Sequence, residues 1–188
     1  MIHELGQRPQ VIRLNRNSPL FKGLVFAGLG GGAGTLKYED ASGFGNHGTC
    51  TGMSFPAAAT SGWAWDNYLR RWVLNFDESD DSVPTTASTG GSGIFTLSWW
   101  GKFSSTSNTY RVVFGWKTNY AAMIVYGSNS GMSGKMAVLN TAGEVANFWD
   151  GAWPVDGLWH HFVYVQPAAE GRTTTRLYRD GVLLTGDP

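Results

Sequence analysis

Short β-rich runs, each followed by Gly, Ser, Asn or Asp, recur along the chain and constrain its fold more than any other feature. Examples are Trp72–Phe76, Phe95–Phe103 and Trp159–Val165. Pro and Gly interrupt the best helical candidate, Phe55–Tyr68, so no long helix is expected. Runs spaced by roughly 8–12 residues are typical of antiparallel sandwiches. The pattern therefore predicts an all-β fold, a two-sheet antiparallel jelly-roll sandwich.

Two of these runs carry more specific information. Phe95–Phe103 alternates, so Phe95, Leu97 and Trp99 are predicted to share one face of a strand. Later in the chain, Asp180–Gly181 separates two β-rich runs. A type I′ turn needs positive φ at both central residues, and Asp-Gly is among the pairs that tolerate this conformation. The sequence thus predicts a tight β-hairpin at this point.

The amino-acid composition argues against several other classes of protein. The 14 basic residues balance 14 acidic ones, and the neutral chain offers no net attraction to a phosphate backbone, so nucleic-acid binding is not expected. The 26 glycines argue against a helical bundle, and the 14% of aromatic residues argues against disorder. No stretch approaches the ~18 apolar residues of a membrane span. Cys50 is the only cysteine, which excludes an intrachain disulfide. Without a nucleophile elbow around it, Cys50 is expected to be a small buried or half-buried residue and not a nucleophile.

The first 17 residues differ from the rest and are assigned to an N-terminal arm, followed by one domain over 18–188. Arg8, Arg13 and Arg16 oppose a single acid, Glu4, in this arm. The segment lacks the apolar run of a signal peptide. Two interpretations stay open: an ordered first strand or frayed terminus, and an arm that docks on a partner.

A set of blocks occurs in a fixed order along the chain. They are Ser18–Val25, Glu39–Thr49, Leu74–Val83, Phe95–Trp100, Gly157–His161 and Leu177–Gly181. Through them the chain resembles the laminin-G-like, concanavalin A-like jelly-roll domains, including versions carried by bacteriophages and environmental bacteria. The most specific block, Glu39–Thr49, is similar to the family pattern Asp-x-Ser-Gly-x-Gly-Asn-His-Gly. The resemblance implies a concanavalin A-like sandwich whose opening strand is Ser18–Val25.

The resemblance has one departure. Related domains usually continue past the Asp-Gly hairpin with further strands, whereas this sequence ends at Gly186–Pro188. Either the last strands are absent, which leaves an unpaired edge for another chain to cover, or the chain is a fragment. Both alternatives stay open.

Catalysis is not expected, because the carboxylates lack the required spacing. A retaining glycosidase needs two carboxyl groups ~5–5.5 Å apart, and the β-glucanases of this fold resemble Glu-x-Asp-x-x-Glu. Glu78–Asp80 supplies the first half, but no Glu follows at the required spacing. Gly28–Ala33 formally fits a dinucleotide-binding pattern, but the chain reaches the next turn before a helix could form.

The histidines are assigned structural roles. His160 and His161 are neighbours on a predicted strand and point to opposite faces, so they cannot bind one ion together. His161 shares a face with Trp159 and Val163, which predicts a packed core histidine. His47 lies in a Gly-rich turn, where a structural hydrogen bond is expected.

A short acidic turn is the candidate metal site. Asp77, Asp80 and Asp81 cluster there, and hard cations bind clustered carboxylates and backbone carbonyls. Laminin-G-like domains often hold Ca²⁺ at the rim of the sandwich, so the resemblance adds Ca²⁺ as a hypothesis. The alternative is a set of solvated turn acids. Asp40 could equally cap its own turn.

Aromatic residues in loop-like stretches form the candidate ligand-binding site. Exposed rings beside amide or carboxylate groups commonly bind sugar rings by stacking. The alternative is that these rings close the ends of the sandwich or pack in a subunit interface. The predicted ligand-binding residues are Trp63, Trp65, Trp149 and Trp153, with Tyr68 and Trp72 in similar surroundings.

These observations favour binding or assembly over chemistry. We expect a non-enzymatic module, an exposed structural or adhesion component of a phage virion such as a fibre or decoration protein. Its partners would be other virion or self subunits, contacted through residues 1–17 and the open C-terminal edge, and glycans. The alternative is a glycan-binding module of a larger secreted bacterial protein. A glycoside hydrolase is disfavoured, and no cofactor besides Ca²⁺ is expected.

Overall fold

The computed structural model describes most of the chain as β-strands and the turns between them. The described residues are 15–19, 22–28, 35–55, 61–77, 79–87, 95–103, 111–115, 122–125, 135–139, 145–149, 154–167 and 175–187. They contain antiparallel strands and no α-helix, which confirms the predicted all-β class. None of these residues belongs to a helix long and apolar enough to cross a membrane. The predicted arm over 1–17 lies outside the described residues, except for 15–17.

Contacts divide the chain into two compact units, Met1–Ser88 and Thr89–Pro188. Both strand pairs of the first unit are antiparallel, β1 with β2 and β3 with β4. Isolated bridges also join Gly28 to Asp40 and Thr51 to Ser82. The strands of this unit are β1 (Lys37–Tyr38), β2 (Gly48–Thr49), β3 (Gly62–Asp66) and β4 (Arg71–Asn75).

A small aromatic core holds the first unit together. Its buried residues are Cys50, Met53 and Trp63, and Tyr38 stacks on Trp63 with ring centroids 5.8 Å apart. The predicted burial of Cys50 is confirmed, at 3% exposure. Burial raises the pKa of the Cys50 thiol, which keeps it neutral and poorly nucleophilic. Partly buried residues packed against this core are Phe55, Trp72, Leu74 and Val83.

The predicted opening strand over Ser18–Val25 is wrong for its described residues, which form no strand. Gly23 has φ of 84°, which breaks an extended conformation. Further along, backbone groups bond to side chains instead of a neighbouring strand. The Val25 carbonyl accepts a hydrogen bond from Asn46 Nδ2 at 2.8 Å, and the Ala27 N–H donates to Asp40 Oδ1 at 2.9 Å. The side chains of Asp40 and Asn46 thus bond to backbone groups that would pair with a neighbouring strand if this segment were extended as the resemblance implies.

The second unit has two antiparallel sheets. One has four strands in the order β12-β11-β10-β5, and the other has five in the order β13-β9-β8-β7-β6. Their bounds are β5 (Phe95–Lys102), β6 (Arg111–Gly115), β7 (Ala122–Val125), β8 (Met136–Leu139), β9 (Val145–Trp149), β10 (Trp159–Gln166), β11 (Arg176–Arg179), β12 (Val182–Leu183) and β13 (Gly186–Asp187).

Both sheets of the second unit contribute to one core, as in a sandwich. Met136 and Trp149 come from the five-stranded sheet, and Phe162, Tyr164 and Leu177 come from the four-stranded sheet. Each of the five is at most 2% exposed. Burial raises the pKa of Tyr164 to about 12. Aromatic and aliphatic side chains from two sheets therefore supply the hydrophobic stabilisation of this unit.

Two local predictions for the four-stranded sheet are confirmed. Strand β5 alternates between half-buried and exposed residues, and Phe95, Leu97 and Trp99 all pack against the core. At the β11–β12 hairpin, φ is 51° at Asp180 and 81° at Gly181, as the predicted turn requires.

His161 lies on the face of β10 opposite to the core. Phe162 and Tyr164 are the buried residues of this strand, so alternation turns His161 outward. Its Nε2 lies 2.9 Å from Ser98 Oγ, and its ring centroid lies 5.2 Å from that of Trp100, which is 54% exposed. The predicted packed core histidine is therefore wrong, because both faces of β10 carry bulky residues and the sequence did not distinguish them.

Candidate functional site

Exposed aromatic rings concentrate on the β3–β4 hairpin, residues 62–75, which we term the aromatic hairpin. Trp65 and Trp72 are directly paired across the two strands, with ring centroids 5.8 Å apart at an interplanar angle of 75°. Trp72 packs against the core of the first unit, whereas Trp65 is 51% exposed. Tyr68, in the connecting turn, is 81% exposed. An edge-to-face pair thus supports one tryptophan whose ring remains largely accessible.

Hydrogen bonds organise the turn of the aromatic hairpin. Asp66 Oδ1 accepts the backbone N–H groups of Tyr68 at 2.9 Å and of Leu69 at 2.8 Å. This Asx-type turn fixes the backbone without any help from glycine. Arg70 closes the turn with φ of 50°, and both Arg70 and Arg71 are exposed. The sequence analysis did not single out these arginines, since nothing local marks a left-handed arginine.

Trp63 occupies the base of the same hairpin and is not available to a ligand. It lies in β3, is 1% exposed, and donates a hydrogen bond from Nε1 to the Thr35 carbonyl at 2.7 Å. Its predicted place in an accessible loop is therefore wrong. Trp63 and Trp65 share one face of β3. Trp63 is paired with Leu74 and belongs to the core of the first unit, whereas Trp65 lies outside that core.

Trp149 is also a core residue. It lies in β9, is 1% exposed, and meets Tyr164 edge-to-face with centroids 6.0 Å apart. Its predicted loop position and accessibility are wrong, because β9 pairs with both β8 and β13 and turns this ring into the sandwich-like core. Trp153 lies outside the described residues. Of the four predicted ligand-binding tryptophans, Trp65 is thus the one shown to be exposed.

The acidic turn brings its three carboxylates together. One oxygen from each of Asp77, Asp80 and Asp81 lies within 4.8 Å of the others. Asp81 is fixed on both oxygens, since Oδ2 accepts the Asp77 N–H at 2.7 Å and Oδ1 accepts the Ser61 hydroxyl at 3.1 Å. Oxygens around one Ca²⁺ lie ~2.3–2.6 Å from the ion, so separations up to about 5 Å are compatible with shared coordination. The donor set therefore fits Ca²⁺.

Asp40 organises the turn of the family-like block. Its carboxylate accepts hydrogen bonds from the backbone of Ala27, Ser42 and Asn46 and from the Ser42 hydroxyl, at 2.7–2.9 Å. Burial raises the pKa of Asp40, but these hydrogen bonds together outweigh it and lower the pKa. His47 Nδ1 accepts the Asp40 N–H at 3.1 Å. The predicted capping role of Asp40 and the structural hydrogen bond of His47 are both confirmed.

A histidine between two carboxylates joins three segments of the second unit. His160 Nδ1 lies 2.6 Å from Asp180 Oδ2, and Nε2 lies 3.1 Å from Asp156 Oδ2. The hydrogen bond to Asp180, with that to Asp156, raises the pKa of His160 against the opposing effect of burial. We term these three residues the histidine clamp. The sequence analysis missed it, because Asp156 and Asp180 are distant in sequence from each other.

Comparison with known proteins identifies no relative: no protein-family model, curated protein or solved structure matches the chain. What the protein does is therefore inferred from its own residues. Among the described residues, the aromatic hairpin offers exposed rings beside cations, and the acidic turn offers a set of oxygen ligands.

Proposed function

We propose that this protein is a non-enzymatic binding and assembly module with a laminin-G-like, concanavalin A-like jelly-roll fold. We further propose that it is an exposed structural or adhesion component of a phage virion and that it binds glycans. The observation that carries the binding function is the Trp65 ring, 51% exposed and supported edge-to-face by Trp72. A rigid, accessible indole is well suited to stack on the apolar face of a sugar ring.

The use of carboxylates supports a non-enzymatic role. Asp40 accepts three hydrogen bonds from its own turn and one from Ala27, and Asp66 caps the turn of the aromatic hairpin. Asp156 and Asp180 are both engaged by His160. Each of these four carboxylates thus stabilises local structure, which is a different task from protonating a leaving group or attacking a sugar.

The setting of the binding function follows from the sequence resemblance and from the sheet edges. The resemblance includes versions carried by bacteriophages, and β13 occupies an edge of the five-stranded sheet. A sheet edge presents unpaired backbone groups that a neighbouring subunit can cover. In a virion setting, we expect the protein in purified particles and an ordered contact of residues 1–17 with a neighbouring subunit. Structure determination of the native assembly would test both.

A glycan-binding module of a larger secreted bacterial protein is the second candidate. It is favoured by the exposed Trp65 and Tyr68, since a lectin-like module needs an accessible aromatic surface and no subunit contact. A protein that stays monomeric by native mass spectrometry while binding glycans would support this setting. Recovery from particles as an ordered oligomer would contradict it.

Trp65→Ala tests the binding function directly. Truncating a central aromatic anchor commonly costs ~2 kcal/mol or more, so we expect glycan affinity to fall at least about 30-fold. The matched control is Trp100→Ala, because Trp100 is 54% exposed but belongs to the four-stranded sheet of the other unit. Binding on a glycan array and by titration calorimetry provides the measurement. Loss of binding in Trp100→Ala but not in Trp65→Ala would overturn the assignment to the aromatic hairpin.

We also propose that Asp77, Asp80 and Asp81 bind Ca²⁺. Their oxygens converge within 4.8 Å, and the hydrogen bonds of Asp81 hold this arrangement in place. Three carboxylates at such separations repel one another unless a cation is shared between them. Bound Ca²⁺ would supply that charge and stiffen the turn that follows β4.

A further inference from the structure

The residues with positive φ reveal an unexplained arginine. Among the described residues, seven such positions are glycines, and the two exceptions are Arg70 at 50° and Asp180 at 51°. The left-handed conformation is unfavourable for a residue with a Cβ atom, whereas glycine adopts it freely. A residue other than glycine at such a position therefore calls for a compensating contact or a function.

Asp180 has the compensating contacts. Its Oδ2 accepts a hydrogen bond from His160 Nδ1 at 2.6 Å, and its Oδ1 accepts the His161 N–H at 2.9 Å. Arg70 differs: within the part of the chain that the structure describes, its guanidinium makes no hydrogen bond or ion pair. The strain at Arg70 is therefore not balanced by a contact of its own side chain there.

The charged and aromatic residues around Arg70 indicate a binding role for its guanidinium group. Arg70 and Arg71 are both exposed, and they follow Trp65 and Tyr68 across the turn of the aromatic hairpin. Asp66 is the only acid among residues 62–75, and its Oδ1 already accepts two backbone hydrogen bonds. The turn of the aromatic hairpin thus carries the exposed Arg70 two residues after the exposed Tyr68. Arg71 is instead paired with Asp66 on the face opposite to Trp65.

We infer that the aromatic hairpin binds an anionic sugar, in which a ring stacks on Trp65 and a carboxylate or sulfate pairs with Arg70. This inference rests on the glycan-binding function proposed above and specifies its ligand class. The guanidinium group is planar and presents parallel N–H donors that match carboxylate and sulfate oxygens. Glycine at position 70 would relieve the backbone but would remove this donor, which accounts for the arginine.

Arg70→Gly separates ligand binding from folding, because the substitution removes the side chain and relieves the left-handed backbone at once. We would screen the wild type on an array of uronic-acid, sialic-acid, sulfated and neutral oligosaccharides, and then titrate the strongest acidic member and its carboxyl-reduced or desulfated form. Arg70→Gly is expected to weaken the acidic sugar about tenfold, to leave the uncharged form unchanged, and not to lower the melting temperature. Arg176→Gln, an exposed arginine on β11, is the control and should change neither.

The possible outcomes distinguish this inference from the function on which it rests. Preferential binding of neutral sugars, with no effect of Arg70→Gly, would overturn the anionic ligand and leave glycan binding intact. A lower melting temperature of Arg70→Gly would also overturn the inference, since Arg70 would then have a structural role. Binding of short oligothymidylate as tightly as the acidic sugar would replace the sugar with a nucleic acid. If the protein bound none of the sugars on the array, the proposed glycan-binding function itself would be overturned.

Discussion

Asp180 and Arg70 have nearly the same positive φ. The side chain of Asp180 makes hydrogen bonds within the fold, whereas that of Arg70 is exposed. The Asp180 carboxylate bonds to His160 and to the backbone of His161, so the folded state gains from it. The Arg70 guanidinium is exposed at the tip of the aromatic hairpin. The strain at Asp180 is thus explained by stability, whereas for Arg70 we propose ligand recognition.

We therefore predict that Asp180→Gly destabilises the protein although it relieves the same strain as Arg70→Gly. Glycine recovers about 1 kcal/mol of backbone strain, whereas the lost charge-assisted hydrogen bonds contribute roughly 1.5–3 kcal/mol each. The net loss should be about 2 kcal/mol or more, read from the midpoint of urea unfolding. An Asp180→Gly variant as stable as the wild type would show that the hydrogen bonds to His160 and His161 contribute no more than the backbone strain that glycine relieves.

Trp63 and Trp65 show how position decides the role of a residue type. They lie two residues apart on the same face of β3, but one is 1% exposed and the other 51% exposed. The stacking of Trp63 on Tyr38 makes it a structural residue, and the pairing of Trp65 with Trp72 leaves its ring accessible. Because residue type and spacing are identical, sequence alone could not separate the two.

At the scale of elements, the histidine clamp joins the segment before β10, β10 itself and the β11–β12 turn. Both ring nitrogens of His160 face carboxylates, so the doubly protonated imidazolium satisfies Asp156 and Asp180 together. Burial raises the pKa of Asp180, but its hydrogen bonds from His160 and from the His161 N–H outweigh this effect, with a smaller contribution from the charge of Arg179, and lower the pKa. The stability that the histidine clamp contributes therefore depends on pH, because its imidazole and its two carboxylates all change charge on titration.

Stability of the second unit should decrease as pH rises above the unfolded histidine pKa of ~6.5 and through the raised pKa of folded His160. Because the pKa of folded His160 is raised, its contribution is fully present below the unfolded value of ~6.5 and is lost as pH rises through the folded value. The pKa values of Asp156 and Asp180 are lowered, so their contribution is lost as pH falls toward and below ~3.9. Melting temperatures measured across pH should peak between these limits.

His160→Gln supplies the control for this pH dependence. Glutamine retains a hydrogen-bonding side chain but does not titrate, so the decline on the alkaline side should flatten. An unchanged profile in His160→Gln would show that other groups cause the decline.

Strand prediction succeeded where the local pattern was strong and failed where it was weak. The alternation of β5 follows from the order of apolar and polar residues along the strand. The β11–β12 hairpin follows from the turn preference of Asp-Gly. Strand β3, Gly-Trp-Ala-Trp-Asp, and strand β9, Val-Ala-Asn-Phe-Trp, were interpreted as loops. Gly, Ala, Asn and Asp are poor β-formers, and pairing with β4 and β8 overrides that local preference.

At the scale of the whole molecule, the two compact units carry different chemistry. The acidic turn and the aromatic hairpin belong to the first unit, and the histidine clamp belongs to the second. Ca²⁺ and protons are therefore expected to act on different parts of the chain. This separation can be resolved by a method that reports local stability.

We predict that Ca²⁺ raises the melting temperature and slows amide exchange around residues 77–81, while amides around His160 are unaffected. Binding to the folded state alone stabilises it by mass action, and an excess of about 100 times Kd contributes ~2.7 kcal/mol. Hydrogen exchange followed by mass spectrometry provides the measurement. Asp81→Asn should abolish the effect, and Glu39→Gln, an exposed residue paired with Lys37, should not. Equal Ca²⁺ protection in Asp81→Asn would exclude this site.

The sequence by itself determined the all-β class, the alternation of β5, the hairpin at Asp180–Gly181 and the capping role of Asp40. These features depend on side-chain period and turn chemistry, which act between near neighbours in the chain. Tertiary structure decided which tryptophans are accessible and which face of β10 carries the core. It also assembled the histidine clamp. The reason is physical: burial depends on which surface another element covers, and distant residues supply that cover.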